Sequence, residues 1–421
     1  MNRLYTILII LNIAFSPAFS QIDSISIVQC FRAARTNAAT KPQLEIMEAI
    51  SELKIDNASS TNLPELSAFG KGWYQSDAIK VPGPTGITVN QFQYNFGLEA
   101  DQKIYDGGMA RKSKESDLAT AESDKNKIET DLYKLNDRVL TYFFNSLLFD
   151  ENSKTLALKL DYLQKRLKEM ESGVKNGIIK NSDCDKIIAE SLSTQQQMLE
   201  LEKIKLQMIQ ALQILTDQKI SETTFLFVPD SLNLLATTLR PEIKFFDSEA
   251  ARIEKSVKLK SAQNLPKFYA FGQLGYSYPG LNFFANAPDY YYIVGAKLSW
   301  TILDWKQVNR ETQVLRKQED IIKTQRDDFD RNLQISIQNE QLEQDKLMQI
   351  MQMDDQIISK RAAISASSAS ALANGVITSS VYIEDLNNEI KARFDMETHK
   401  IQYQNSIVKS FLLKGTDISE Q

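Results

Sequence analysis

The stretch that decides the fold is residues 296–374, which contains neither glycine nor proline. It reads AKLSWTILDWKQVNRETQVLRKQEDIIKTQRDDFDRNLQISIQNEQLEQDKLMQIMQMDDQIISKRAAISASSASALAN. As a single helix, its 79 residues would span roughly 118 Å at about 1.5 Å per residue, far more than most globular helices. Apolar residues recur in it at helical spacing, and glutamines fill much of the rest. A narrow apolar seam on a wide polar surface predicts a coiled coil rather than a buried core helix.

A second stretch of the same kind occupies residues 109–172, again without glycine or proline. Its apolar positions step by four and three residues, which is heptad spacing. One such run is Leu156, Leu160, Leu163, Leu167 and Met170. We therefore expect two long helical rods in one chain. Residues 24–57 are also expected to be helical, with a break or a first-turn position at Pro42.

Strict alternation of apolar and polar residues begins at Phe92 and predicts a strand, with residues 63–77 as its partner. The pattern returns at 265–303, where the alternation continues through Ile302. Aromatic residues cluster near the ends of the second pair, as in the girdle of a membrane barrel: Tyr290, Tyr291, Tyr292 and Trp300. A soluble sheet with an aromatic core is the alternative on the strands alone.

A tandem repeat relates these elements. NLPELSAFG at 62–70 recurs as NLPKFYAFG at 264–272, and Gly97, Ile104 and Asp106 recur 198 residues later. Because the Asn-Gly pairs at 176 and 374 keep the same offset, the two rods should be equally long. We expect a first repeat at 21–240, with a hairpin at 63–104 and a helical tip at 173–183. A second repeat is expected at 241–421, with a hairpin at 265–303 and a tip at 374–384.

Residues 1–20 have the charge, apolar run and small-residue end of a secretory signal peptide, and an uncleaved membrane anchor is the less favoured alternative. The remaining chain carries 48 basic and 54 acidic residues, which argues against nucleic acid as a partner. Two cysteines, Cys30 and Cys184, make no disulfide framework and are expected to be free.

Four strands with one apolar face have the length of bilayer-crossing strands, but four cannot close a barrel alone. Closure therefore requires strands from several chains: two chains would give eight strands and three would give twelve. Because each strand pair leads into a rod, the rods should continue the barrel away from the membrane. This arrangement indicates a duct from the outer membrane into the periplasm.

The chain resembles the TolC family of outer membrane efflux and secretion channels across nearly all of its mature length. The resemblance rests on Leu63-Pro64 and Leu265-Pro266, on the IYDGG sequence at 104–108, and on the Asn-Gly turns. It implies a mainly helical fold with four membrane strands per chain and a homotrimer with a twelve-stranded barrel. It also implies outer membrane lipid around the barrel, and docking to a periplasmic adaptor and an inner membrane pump.

The tips and the strand faces supply the candidate site residues. We expect both turns at the periplasmic mouth to contact the adaptor: Asn176, Gly177, Ile178, Asn374, Gly375 and Val376. The aperture should be lined by Asp183, Asp185 and Glu384, and the barrel lumen by Gln93, Glu99, Lys297 and Ser299. Phe96, Leu98, Val294 and Leu298 should instead face lipid.

The resemblance is incomplete at the tip. Asp183 matches the family's acidic latch residue and Glu384 one acid of its constriction ring, but Val381 replaces the second acid. Ile377 and Leu372 stand where the latch arginine and tyrosine would be. An ionic latch on Asp183 is therefore not expected. Asp183 and Asp185 could instead cap the returning helix.

Other function classes fit less well. The single histidine, His399, is expected to be a solvated helix residue, and no phosphate loop, metal-ligand spacing or nucleophile motif is present. No enzyme activity and no cofactor are therefore expected. A periplasmic adaptor would need one helical hairpin between β-rich halves, and a structural coiled coil would leave the strand alternation unexplained.

Overall fold

The computed structural model describes residues 24–80, 86, 88–229 and 240–415. The predicted signal peptide at 1–20 lies outside the described residues. The helices are α1 (Ile27–Thr36), α2 (Gln43–Ser60), α3 (Met109–Tyr133), α4 (Leu135–Lys175), α5 (Asn181–Thr216), α6 (Pro241–Ser261), α7 (Gln307–Ala373) and α8 (Ser379–Leu413). The strands are β1 (Ser24–Ser26), β2 (Glu65–Tyr74), β3 (Ile79–Lys80), β4 (Thr88–Val89), β5 (Phe92–Tyr105), β6 (Phe225–Phe227), β7 (Lys267–Tyr278) and β8 (Asp289–Ser299).

The longest helix is α7, whose 67 residues span roughly 100 Å. The start of the glycine- and proline-free stretch is not helical, because residues up to Ser299 belong to β8. In the first half, α3 and α4 form one nearly continuous rod. It is interrupted only at Lys134, whose backbone stays helical (φ −62°, ψ −19°). Residues 109–175 and 307–373 therefore form rods of equal length, as predicted.

An aspartate sets the start of each rod. The Oδ1 atom of Asp106 accepts a hydrogen bond from the Gly108 N–H at 2.7 Å, and that of Asp304 accepts one from the Lys306 N–H at 2.9 Å. In both turns the next two residues have positive φ: 73° and 77° at Gly107 and Gly108. The second turn has 52° at Trp305 and 64° at Lys306. The repeat thus preserves a left-handed backbone even where glycine is absent.

The helices pack side by side in a fixed order. Near the sheet the order is α2, α3, α6, α7, and towards the far end it is α5, α4, α8, α7. Helices α2 and α5 therefore lie at one side of this layer and α7 lies at the other. No helix in the described ranges is both long enough and apolar enough to cross a membrane.

A separate core forms partway along the rods. The predicted first helix begins later than expected, since Ser24–Ser26 is a strand that pairs in parallel with Phe225–Phe227 of the connector. Ser26 then caps α1 through a capping box with Gln29. Buried side chains from α1, α4, α5 and α8 pack around these two strands, among them Cys30. Both cysteines are free, as predicted, and burial raises the pKa of Cys30 to about 12.

The four long strands form one antiparallel sheet in the order β2-β5-β7-β8. Even-numbered residues lie opposite even-numbered residues across all three pairings, apart from a bulge near residue 104. We call the two sides of the sheet the even face and the odd face. Strand β8 ends at Ser299, three residues before the predicted Ile302. Strands β2 and β8 lie at the two edges.

Candidate functional site

The even face of the sheet is apolar over its whole width. Exposed apolar or aromatic side chains on it come from every strand: Leu66, Tyr74, Phe92, Phe96, Leu98, Phe268, Leu274, Tyr290, Tyr292, Val294 and Leu298. The four residues expected to face lipid are among them. A face of this size exposed to water would be a strong aggregation hazard, so it requires an apolar environment.

Aromatic rings mark the end of the even face that is distant from the helices. Tyr276 and Tyr290 have ring centroids 4.8 Å apart, and Tyr94 lies 5.9 Å from Tyr278. Tyr290 and Tyr292 belong to this belt, as predicted. Tyr291 does not, because alternation places it on the odd face, where its hydroxyl donates a hydrogen bond to Asn95 at 2.8 Å.

The odd face carries the four predicted lumen residues: Gln93, Glu99, Lys297 and Ser299. It also holds a set of glycines that are covered by rings from the neighbouring strand. A Cβ at Gly97 would lie 2.6 Å from the Phe69 ring, and one at Gly275 would lie 2.6 Å from the Tyr291 ring. Any larger residue would collide, so these pairs fix the register of the sheet.

At the opposite end of the molecule, both helical hairpins turn in the same way. Gly177 and Gly375 each have φ of 71°, which confirms the positive φ expected there. The next N–H groups, of Ile178 and Val376, each donate to a carbonyl five residues earlier at 2.9 Å. Ile178 and Val376 are therefore presented at matching positions, and both side chains are exposed.

A shared apolar core joins the two tips. It draws side chains from α4, α5, α7, α8 and the turn between α4 and α5: Leu163, Met170, Ile179, Ile187, Leu372, Tyr382, Leu386 and Ile390. Tyr382 is only 2 % exposed, and the Arg166 guanidinium lies 5.5 Å from its ring centroid. Burial raises the pKa of Tyr382, and the nearby Arg166 opposes that shift. The sequence pattern did not single out either residue.

Asp183 links the hairpins in a way that the sequence did not reveal. Its Oδ1 atom accepts a long hydrogen bond of 3.4 Å from the N–H of Ser379, at the start of α8. The same oxygen lies 3.5 Å from the Lys186 ammonium. The carboxylate therefore caps the returning helix of the second hairpin, while its own helix α5 benefits from an acidic first turn.

The other tip residues are placed as follows. Asp185 and Glu384 are exposed, and Val381 is exposed near Glu384. Leu372 is buried in the tip core and Ile377 packs against it. These two positions therefore contribute to apolar packing at the tip.

The expectation for the single histidine is also wrong. His399 is not simply solvated, because its Nδ1 atom lies 2.6 Å from an Oδ2 atom of Asp354 on α7. Asp354 is buried, so the pair lies between α7 and α8. The long separation of 45 residues along the chain hides this contact from sequence patterns.

Comparison with known proteins agrees with this architecture. The family model described as "Outer membrane efflux protein" matches residues 44–217. Among solved structures, the chain is similar to the Campylobacter jejuni CmeC outer membrane channel, with a TM-score of 0.70 and 15 % identity. That alignment covers 93 % of this chain and 86 % of CmeC.

Two further structures have the same fold. CusC, described in connection with folding and transmembrane channel formation, gives a TM-score of 0.73 at 12 % identity, with 92 % of each chain covered. The open state of the Neisseria gonorrhoeae MtrE outer membrane channel gives 0.67 at 13 % identity, covering 94 % of this chain and 90 % of MtrE. No curated protein sequence matches this chain. The family match over residues 44–217 and the shared fold confirm the resemblance inferred from the tandem repeat: the chain is similar to outer membrane efflux proteins and has the TolC-like fold.

Proposed function

We propose that three copies of the chain form a passive export duct of the bacterial outer membrane. Their twelve strands close into a barrel in the membrane, and their helices continue as a tunnel into the periplasm. The tunnel receives cargo from an inner membrane pump through a periplasmic adaptor. In this proposal the chain consists of a first repeat at 21–240 and a second at 241–421.

The observation that carries the proposal is the sheet itself. Its even face is apolar across four strands, while its edge strands β2 and β8 have no partner on their outer sides among the described residues. Unpaired strand edges are not tolerated in lipid, so other chains must supply the missing partners. The antiparallel order continues when β8 of one copy meets β2 of the next. Three copies give the smallest such barrel with an open lumen.

The helical layer supports the same assembly. Apart from Met348, the large exposed apolar side chains on α7 fall within about 80° of arc at about 100° per residue. They are Val314, Ile321, Ile335, Leu342, Met353, Ile357 and Ile364. The opposite side of the layer carries shorter stripes on α2 and α5: Ile46, Ile50, Leu53, Ile188, Leu192 and Leu199. In a ring of copies, α7 of one chain packs against α2 and α5 of the next.

The far tips are the proposed adaptor-docking rim. Two identical turns expose Ile178 and Val376 directly after their glycines, with Asn176 and Asn374 before them. These two exposed aliphatic side chains on each chain could insert into an apolar groove between helices of the adaptor. A periplasmic adaptor role for this chain is less favoured, because two helical hairpins follow strands of membrane type. The proposal gives the chain no catalytic role.

The tip also sets the ion preference of the pore. Glu384 is exposed on α8 near the second turn, and threefold repetition would make it an acidic ring. Such a ring favours cations over anions. We expect Glu384→Gln to lower the cation-to-anion permeability ratio of single channels in planar bilayers, with little change in trimer yield.

The matched control is Asp385→Asn, which removes one carboxylate from the neighbouring position. The Asp385 side chain is directed to Ser368 on α7 by a short hydrogen bond. Its loss should alter the permeability ratio less than that of Glu384. If both variants keep the ratio of the unmodified channel, the acidic ring is not at this position.

A further inference from the structure

Strand β8 is shorter than its counterpart in the first repeat. An offset of 198 residues relates β5, Phe92–Tyr105, to positions 290–303, yet β8 ends at Ser299. The end of β5 shows why. The first residue of β2, Glu65, lies opposite Asp101 of β5. The residues of β5 after Asp101 therefore have no partner in β2 and pair only with β7. Residues 300–303 have no such neighbour in the part of the chain that the structure describes, and the side chains of Trp300, Ile302 and Leu303 are exposed.

We propose that residues 300–303 complete β8 by pairing with residues 66–68 of a second copy, in the register that β5 and β7 already show. This inference rests on the proposed assembly and specifies how β8 of one copy pairs with β2 of the next. Positions in β5 have counterparts 198 residues later, in β8 and its extension, and positions in β7 have counterparts 202 residues earlier, in β2. The pairing of Lys103 with Tyr269 therefore corresponds to a pairing of Thr301 with Ser67. In the same way, the pairing of Tyr105 with Phe268 at the bulge corresponds to a pairing of Leu303 with Leu66.

The side chains brought together by this register are compatible on the even face. Trp300 meets Ala68 and Leu298 meets Gly70, so bulky residues face small ones. Leu303 and Leu66, both exposed in the single chain, cover each other. Tyr105 and Phe268 make the equivalent contact within the chain, with ring centroids 6.3 Å apart.

On the odd face the register aligns two lysines, Lys71 and Lys297, which is unfavourable for directly opposed residues. The Lys71 ammonium lies 5.2 Å from the ring centroid of Trp73, two residues along its own strand. Trp73 is aligned with Gly295 in the same register, so space is available there. A register shifted by two residues would instead put Lys297 opposite Phe69, and it is the main competitor.

The proposed contact between β8 and β2 of a second copy differs at one place from the contact between β5 and β7 within the chain. A Cβ at Gly107 would lie 2.7 Å from the Cβ of Leu265, so that position accepts only glycine. Trp305 occupies the equivalent position, and Leu63 is the equivalent of Leu265. Because Trp305 has a Cβ, Leu63 of the second copy must lie farther away. The indole, 77 % exposed in the single chain, fills the wider gap.

Paired cysteines test the register. In a Cys184→Ser background, one variant carries Ser67→Cys with Thr301→Cys and the other carries Ser67→Cys with Ser299→Cys. All three native residues are exposed on the odd side of the sheet or its extension. Directly opposed residues have Cβ atoms about 4.5–5.5 Å apart and diagonal ones about 7–8 Å, so a disulfide strongly favours the opposed pair.

After copper-phenanthroline oxidation of the membrane-embedded protein, we expect the 67–301 pair to give disulfide-linked trimers on denaturing gels. Its yield should exceed that of the 67–299 pair by about tenfold or more. A higher yield for 67–299, or no cross-link in protein that native mass shows to be trimeric, would overturn the proposed pairing of β8 with β2 and leave the channel proposal standing. Protein that stays monomeric would overturn both.

Discussion

Replacement of Val294 by arginine is expected to destabilise the assembled protein by about 2–4 kcal/mol, the cost of a cation at mid-depth on the lipid face of a barrel. Val294 is 79 % exposed in the single chain, and it lies midway between the aromatic belt and the helix end of β8. The loss can be measured by denaturant unfolding in vesicles.

The neighbouring residue provides the control. Ile293 is also β-branched and 37 % exposed, but it lies on the odd face opposite Gln273. Ile293→Arg should cost far less, because its guanidinium would reach the aqueous lumen. Equal losses for the two variants would show that the even face does not contact lipid.

The second large effect is expected at the tip core. Tyr382→Ala should remove about 3–5 kcal/mol of local stability, as for other buried aromatic side chains. Because Tyr382 joins α8 to Leu163 and Arg166 of the first hairpin, its loss should separate the hairpins and raise the open fraction of single channels. Tyr382→Phe keeps the ring and should change the open fraction little.

Asp183→Asn distinguishes packing from an ionic latch. Its hydrogen bond to Ser379 is long, at 3.4 Å, and its ion pair with Lys186 is partly exposed, so each contributes little. The open fraction should therefore stay near that of the unmodified channel. A wide opening caused by this substitution alone would mean that charge, and not apolar packing, holds the tip closed.

The sequence predicted the rods, the tips and the sheet faces well because each is set by local pattern. The absence of glycine and proline defines residues 307–373 as a helix, and period-two alternation assigns Val294 and Lys297 to opposite faces. The glycines at 177 and 375 mark turns that need positive φ. Repetition at a constant offset then fixes the relative lengths of the rods.

Features that depend on distant partners escaped prediction. The contact between His399 and Asp354 joins two helices, and the capping of Ser379 by Asp183 joins two hairpins. The predicted strand through Ile302 stops at Ser299, where the described part of the chain offers no neighbouring strand on the outer side of β8. The alternation of residues 300–303 predicts an extended segment, whereas the proposal that a second copy pairs with this segment depends on the sheet order.

The central claim, that three chains complete one membrane barrel, is tested most directly by native mass spectrometry of the full-length protein extracted from membranes in mild detergent. The account predicts a single species of three chains, obtained from the outer membrane fraction and absent from the soluble fraction. A stable monomer recovered from the soluble fraction, with empty membranes, would contradict it.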